Sequence, residues 1–310
     1  MHEQGQGTVE WIGLTCLVSL LFAALLAVGV RVSGTALADS IFNRILCATA
    51  MADTCNDEPH LIAAYGTEVG KLANDHMPNL AFERGSKALP VNFRRCRSTA
   101  CGDGAEDPPS DFVRRAGKGL PVTAFVHVID CRPGEAARSE AEGVDCSGER
   151  AGNLYLQYWT YYADSATLRG VPIVGAKGFH PDDWEGVQVR ISPDGDVDQR
   201  ASSHNGYNHD RGPLNWPSDV GAASLKSLFE KLGAHPRNGW GDETRWLFVS
   251  GGSHAGNARA FLPDFERIAR SRQVHLIPLE PIASGRNPRF AVSPPWRKRV
   301  WRDPEAEETH

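Results

Sequence analysis

The hydrophobic pattern begins with an unbroken apolar segment near the amino terminus. Residues 11–30 carry no charged side chain and show no polar stripe. A helix rises about 1.5 Å per residue, so twenty residues span about 30 Å, the thickness of a bilayer core. The segment therefore predicts a single membrane-spanning helix, and residues 1–32 form the first unit of the chain.

Helical periodicity continues after this segment. Ala36–Met51 has apolar residues at helical spacing, and Glu58 with Pro59 opens a second helix with apolar residues on one side. We expect residues 33–76 to form a short helical stalk.

From residue 77 the pattern changes to short β-rich runs between Gly and Pro turns. The predicted strands are Val122–Ile129, Leu154–Ala163, Trp184–Ile191, Trp246–Ser250 and Arg289–Val292. We expect a loop over Pro133–Arg150, an amphipathic helix over Asp219–Leu232 and a last strand over residues 296–302. The chain is therefore predicted to be mainly β, with an antiparallel β-sandwich, inserted loops and a few helices over residues 77–310.

Composition narrows the class of protein. The 33 Lys and Arg residues against 38 Asp and Glu give a net charge of -5. This balance argues against a nucleic-acid partner held through phosphates. The mean hydropathy of -0.36 excludes a polytopic membrane protein.

The cysteines and the basic residues give opposing indications of topology. Arg31 and Arg44 follow the apolar segment and none precedes it, which by the positive-inside rule would place the body inside. Local cysteine pairs without C-x-x-C are typical of disulfides in an oxidising compartment, and they outweigh two arginines. We expect a single-pass protein of the cell membrane with an extracytoplasmic body. The neighbouring cysteines are Cys47 and Cys55, Cys96 and Cys101, and Cys131 and Cys146.

Candidate chemistry is concentrated before and within the predicted strand that ends at Ile191. Alternation places Asp183 and Glu185 on the face of the aliphatic residues that follow, with Trp184 on the other face. A buried, unpaired carboxylate costs several kcal/mol, so this pair requires a cation, a proton or an Arg partner. His180 lies three residues before Asp183 and can fold back to the same point. Histidines and carboxylates at the mouth of a strand are typical of a metal site.

Three other segments bring candidate side chains to strand ends. An Asp194-Gly195 hairpin turn would place the next strand beside this one and bring His204 near Asp183. Asp164 follows the aromatic pair of the strand before, and His254 follows a later strand.

The motif H-x-x-D-W-E, residues 180–185, and the motif S-x-H-x-G-Y, residues 202–207, resemble the NPP1-type necrosis-inducing family. They are also similar to a vacuolar-protein-sorting family with a D-W-E strand and a later G-S-H-A segment, here residues 252–255. The resemblance implies a β-sandwich with a divalent cation in a cleft at one end. The implied metal ligands are His180, Asp183, Glu185, His204 and Asp164, and the residues assigned to a bound ligand are Trp184, Tyr207 and His254.

Two further resemblances concern the ends of the chain. Gly5 and Glu10 have the spacing found at the cleavage site of pilin-like proteins. Cleavage of a secretory signal after Ala38 and an uncleaved anchor are the other interpretations, and the uncleaved anchor is favoured. Residues 277–283 and 293–296 resemble a group of uncharacterised bacterial membrane-anchored proteins. This resemblance covers most of the chain and implies no activity.

The donor set favours Mg, Ca or Mn, and it is also compatible with Zn. A hydrogen-bonded network without metal is the alternative. We expect a cation cleft that binds a polar ligand, either a glycan or a lipid head group, on a protein that meets the membrane through its N-terminal helix. The other candidates are a metal-dependent hydrolase, with Glu185 or His204 as general base, and a pilin-like structural component. Ser253 stands in a sequence close to a nucleophile elbow, but a tight turn in which His254 bonds its own loop is favoured.

Overall fold

The computed structural model describes residues 58–84, 89–97, 120–166, 179–203, 206–209, 215–216, 235–236, 239–259, 265–279 and 289–307. The helices are α1 (Glu58–Tyr65), α2 (Thr67–Asp75) and α3 (Ala136–Ala141). The strands are β1 (Asn79–Glu83), β2 (Thr123–Asp130), β3 (Leu154–Ala166), β4 (Phe179–Ile191), β5 (Val197–Ser203), β6 (Gly206–Asn208), β7 (Asn215–Trp216), β8 (His235–Pro236), β9 (Gly241–Asp242), β10 (Trp246–Val249), β11 (Gly256–Asn257), β12 (Phe265–Ala269) and β13 (His275–Pro278). Short 3-10 turns cover Gly148–Arg150, Ser271–Gln273, Pro295–Arg297 and Arg299–Trp301.

These strands form two main sheets. The large sheet has the order β13-β2-β3-β4-β5-β6, with β9 also paired to β5, and the small sheet has the order β11-β10-β1-β12. The prediction of a mainly β protein is confirmed. The predicted antiparallel pairing holds for most neighbouring strands and is wrong for three pairs, because β1 with β10, β13 with β2, and β7 with β8 run parallel. In the two main sheets, the parallel partners are far apart in the chain, so no hairpin turn fixes their direction.

The two sheets face each other across an aliphatic core, as in a sandwich. The small sheet contributes Leu80 and Leu247, and the large sheet contributes Val126, Val187 and Val189, all of them buried. Burial of such side chains removes apolar surface from water and is the main stabilising term.

Helices α1 and α2 pack against this same core. Leu61, Val69 and Ala73 are buried in it, and the Tyr65 hydroxyl donates a hydrogen bond to the Val126 carbonyl at 2.6 Å. Residues 58–75, which the sequence assigned to a stalk, therefore share a hydrophobic core with the strands. The division of the chain at residue 77 stays a prediction.

A second, aromatic layer covers the opposite face of the large sheet. Its members include Trp159, Tyr161 and Trp184 from the sheet and Val300 and Trp301 from the C-terminal segment. That segment approaches the sheet as two 3-10 turns, so the predicted last strand over residues 296–302 is wrong. Pro294 and Pro295 stand directly before that stretch, and their fixed φ and missing N–H groups suit the start of the first 3-10 turn rather than a paired strand.

The predicted strand over Arg289–Val292 is also absent from the described residues, where this stretch has no regular structure. Phe290 instead packs its ring against the aromatic layer, 5.7 Å from the ring of Trp184. The apolar residues of this stretch were therefore a sign of burial rather than of strand pairing.

The Cys131–Cys146 disulfide is confirmed, with its Cα atoms 5.2 Å apart. It closes a segment that contains α3, where the sequence predicted only a loop. The Ala, Arg and Glu residues of α3 are strong helix formers, and the closed loop gives them room for one short helix. Cys96 is also disulfide-bonded.

Several predictions fall on other parts of the chain. Residues 11–30, Ala36–Met51, Asp219–Leu232 and the cysteines Cys47, Cys55 and Cys101 lie outside the described residues. Within the described ranges, every helix is too short or too polar to cross a bilayer.

Candidate functional site

Strand β4 positions most of the candidate residues. It begins at Phe179, earlier than predicted, and pairs with β3 along its length, which places Tyr162 opposite Asp183 and Thr160 opposite Glu185. The predicted alternation is present beyond the acids, because Val187 lies in the aliphatic core while Trp184 lies in the aromatic layer.

A backbone irregularity stands immediately before the two acids. Asp182 has φ 57°, a left-handed conformation that Asp tolerates better than most residues. Its buried carboxylate accepts hydrogen bonds from the Tyr161 hydroxyl at 2.6 Å and from the Ala291 backbone N–H at 2.8 Å. Asp182 is thus held by its own partners, and it fixes the direction in which β4 enters the site.

Asp183 pairs with His254, which lies 71 residues later in the turn between β10 and β11. The distance from Asp183 Oδ2 to His254 Nδ1 is 2.9 Å. The His254 side chain is fully buried and stacks on Tyr162, with ring centroids 3.8 Å apart and planes at 3°. An Nδ1–H that donates to a carboxylate leaves Nε2 as an acceptor in the neutral ring, and this Nε2 has no partner among the described residues.

The tight turn predicted around Ser253 is confirmed, because residues 251–253 form a turn. Its role differs from the expectation. His254 bonds a distant carboxylate rather than its own loop, and no local pattern carries that information.

Glu185 is bound on one side by β5. The Ser202 hydroxyl donates to Glu185 Oε2 at 2.5 Å and accepts the Gly186 backbone N–H at 2.6 Å. Burial, and then the charge of Asp183, raise the pKa of Glu185 well above its ordinary value, while Ser202 and the charge of Lys298 act in the opposite direction. Burial and the charge of Asp183 therefore both favour the protonated carboxyl over the carboxylate.

Lys298 is a charged neighbour that the sequence pattern did not single out. It is buried in the C-terminal segment, with its ammonium 5.8 Å from the centre of the Trp159 ring. Burial lowers the pKa of Lys298, and the charges of Glu185 and Asp183 oppose that change. Among the described residues, Lys298 is thus a cationic neighbour of both acids, and its own burial favours the neutral amine.

The remaining predicted residues take different places. His180 is partly exposed, and its Nδ1 lies 2.7 Å from the backbone oxygen of Asp182. Trp184 and Tyr207 are buried in the aromatic layer, which gives both rings a packing role. His204 and the side chain of Asp164 lie outside the described residues; only the strand position of Asp164, opposite Pro181, is described.

The structure therefore brings together only part of the predicted ligand set. Asp183, Glu185, Ser202 and His254 form what we call the acidic cluster. Among the side chains that the structure describes, no three His, Cys, Asp or Glu residues are grouped so that they would hold a metal ion.

Comparison with known proteins gives little further information. No family model matches the chain, and no curated protein matches it. A solved structure titled "Toxin fold for microbial attack and plant defense" is 16% identical, covers 62% of this chain and 73% of its own, and has a TM-score of 0.27. A second, "NLPPya in complex with glucosamine", is 16% identical, covers 64% of this chain and 75% of its own, and also has a TM-score of 0.27. These neighbours are toxin folds of the NLP type, and the similarity is too low to support a conclusion about this chain.

Proposed function

We propose that Asp183 and Glu185 form the centre of a divalent-cation site that binds a polar ligand, on a body held outside the membrane by residues 11–30. The observation that carries the proposal is the placement of Asp183 and Glu185 two positions apart on β4 in one enclosed site, where burial and the charge of Asp183 raise the pKa of Glu185. Two carboxyl groups that share one buried site repel each other once both are charged.

A divalent cation relieves this repulsion better than a proton does. It neutralises both carboxylates at once, whereas a proton neutralises one and leaves the other buried and charged. Lys298 supplies a single positive charge, and burial lowers the pKa of Lys298, which favours its neutral form. His180, His204 and Asp164 are the further candidates for ligands, and oxygen-rich coordination of this kind suits Mg, Ca or Mn.

The class of the bound ligand follows from the coordination positions that such an ion leaves open. Cations of this type coordinate more oxygen atoms than two carboxylates provide, so hydroxyl groups of a glycan or a lipid head group would occupy the open positions. The unpartnered Nε2 of His254 would accept a hydrogen bond from one of these hydroxyls.

Metal binding to the full-length chain tests the proposal. We expect the purified protein to retain one divalent cation by elemental analysis, and to gain thermal stability when Ca, Mg or Mn is added after chelation. Asp183→Asn removes one of the two charges and is expected to abolish retention. Asp194→Asn is the matched control, because Asp194 is exposed in the hairpin turn between β4 and β5. A wild-type protein that binds no cation, or an Asp183→Asn protein that binds it equally well, would contradict the proposal.

The same raised pKa supports a second candidate, a metal-dependent hydrolase. A general acid or base works best with a pKa near the working pH, and burial moves Glu185 in that direction. In that case Glu185→Gln would keep the metal and lose turnover of ester or glycoside substrates. Glu142→Gln, an exposed control, would retain that turnover. Binding of a ligand without turnover in the wild type favours the binding function instead.

A further inference from the structure

A cavity of about 540 Å³ lies at the other end of the large sheet from the acidic cluster. It is bounded by helices α1 and α2, by β2 and the end of β13, by the segment closed by the disulfide, and by the C-terminal turn. Asp130 of β2 pairs with Leu154 of β3, which in turn pairs with Ile191, the far end of β4 from Asp183. The cavity is therefore separate from the proposed cation site, and its volume is typical of small-molecule sites.

The walls of this cavity are fixed by contacts between distant parts of the chain. The Ser139 hydroxyl donates to the Asp130 carbonyl at 2.8 Å, and Arg132 joins Asp130 to Glu68 of α2. The Asp145 N–H donates to the Arg302 carbonyl at 2.8 Å. The disulfide closes the same segment. A preformed cavity loses little entropy when it binds a ligand.

His127 gives the cavity a hydrogen-bond acceptor. The Gln157 amide nitrogen donates to the Val300 carbonyl at 2.8 Å, so its oxygen must face His127 Nδ1, 3.0 Å away, and accept a hydrogen bond from it. Nε2 is then the acceptor of the neutral ring. The ring stacks on Trp301, with centroids 3.5 Å apart and planes at 11°, which fixes its orientation.

The imidazole stays neutral under ordinary conditions. Burial lowers the pKa of His127 to about 4, so the ring carries no charge near neutral pH. His127 lines the cavity, and its ring therefore carries a lone pair rather than an N–H at Nε2, so a group that bonds Nε2 must donate to it.

The rim of the cavity favours a positive ligand. Its charged residues are the acids Asp130, Glu135 and Glu142 and the base Arg138. Asp130 is occupied by Arg132, and Glu142 lies 3.8 Å from Arg138. Glu135 is exposed and has no ion pair within the described part of the chain, so its carboxylate is available to a cation bound at the rim. The remaining walls include apolar side chains, among them Val69, Val128 and Leu279.

We infer that this cavity binds a small organic cation, an ammonium with an apolar body, whose N–H donates to His127 Nε2. The carboxylates of the rim favour the positive charge, and the apolar walls take the hydrocarbon part. An anion of the same shape would meet the same acids and would bring no donor for His127.

Three probes that differ only in their polar group test this inference on the full-length chain: phenethylamine, 2-phenylethanol and phenylacetate. By calorimetry we expect phenethylamine to bind at least about tenfold more tightly than the alcohol or the acid, because a charged donor strengthens the hydrogen bond. Addition of the amine should also shift the imidazole nitrogen resonance of His127.

Two variants locate the binding. His127→Phe keeps the ring on Trp301 and removes the acceptor, and it is expected to weaken amine binding by about tenfold or more. Ala64→Phe fills the mouth of the cavity from an exposed position on α1, while Ala63→Phe, equally exposed and outside the lining, is the matched control. The inference is overturned if the amine does not bind at millimolar concentration, if the alcohol or acid binds as well, or if Ala64→Phe binds the amine as the control does.

Discussion

Glu185 and Glu305 are both partly buried glutamates with opposite surroundings. The carboxylate of Glu305 accepts hydrogen bonds from the Tyr155 hydroxyl at 2.7 Å, from the Trp240 indole at 2.5 Å and from Arg190 at 3.1 Å. Within the part of the chain that the structure describes, Glu185 has Ser202 as a side-chain hydrogen-bond donor and a second acid beside it. A buried charge that the fold surrounds with donors is part of the scaffold, whereas one placed beside a like charge marks a place where something else is meant to bind.

Arg200 is, like Glu305, a buried charged residue that the fold surrounds with partners. Its guanidinium is fully buried between the rings of Tyr207 and Trp240, at 4.2 Å and 4.3 Å from their centres. It donates to the Gln188 side chain at 3.0 Å and to the carbonyls of Pro304 and Ala306. We call Arg200, Glu305 and these two carbonyls the C-terminal clasp, because they hold the last described segment against the sheet.

The largest effect is expected from Arg200→Met. The substitution fills the space but leaves the three acceptors without their donor, and we expect a loss of about 3–5 kcal/mol in the free energy of unfolding. Chemical denaturation measures it. Arg299→Met is the control, because that side chain is 63% exposed and its loss should change stability by less than about 0.5 kcal/mol. Equal effects of the two substitutions would show that the clasp does not stabilise the fold.

Glu305→Gln is expected to have the next largest effect. The neutral amide keeps the shape but weakens the bonds from Tyr155, Trp240 and Arg190, so about 2 kcal/mol of stability should be lost. Glu307→Gln, two residues later and exposed, should be silent. A stable Glu305→Gln protein would remove the contrast with Glu185.

Glu185→Gln is expected to act in the opposite direction. Because the pKa of Glu185 is raised in the folded state, the folded protein holds its proton more tightly, and stability is lost as the pH rises above the ordinary value of a glutamate. The amide removes that loss, so the variant should be more stable than the wild type by about 1 kcal/mol at about pH 8 and nearly equal to it at about pH 4.

Melting curves across this pH range test that prediction. The proposed cation adds a second comparison, since a saturating divalent ion should stabilise the wild type and leave Glu185→Gln less affected. If the wild type instead becomes more stable with rising pH relative to the variant, Glu185 is a charged scaffold residue like Glu305.

Asp198→Asn is expected to have the smallest effect. Asp198 binds the same Arg190 as Glu305 does, at 2.6 Å, but its side chain is 26% exposed. A pair on the surface is worth about 0.5 kcal/mol, so denaturation should show a much smaller loss than for Glu305→Gln. Similar losses for the two acids would mean that burial does not decide the outcome.

The local pattern was sufficient for much of the sheet. The runs at Leu154 and Trp184 both became strands, and the Asp194-Gly195 turn joins β4 to β5 as predicted. The Cys131–Cys146 disulfide was also correct. These features depend on alternation, turn chemistry and short spacing, all of which a sequence displays directly.

The rest depends on contacts between distant segments. The pairing of β1 with β10 joins residues about 167 positions apart, and the His254–Asp183 contact joins residues 71 apart. No periodicity specifies which of several histidines will meet a given carboxylate. Lys298 was overlooked for the same reason, because a basic run near the end of a chain is typical of a solvated surface, and only the fold shows that this lysine is buried.

The C-terminal clasp has a consequence for synthesis of the protein. Pro304 and Ala306 lie 104 and 106 residues after Arg200, whose side chain they cover. The ribosome synthesises β5 well before this segment. The aromatic face of the sheet is therefore exposed until the intervening chain has been synthesised. During that interval the nascent protein exposes Trp and Tyr side chains and an unmatched guanidinium. It is then that a chaperone would be most needed.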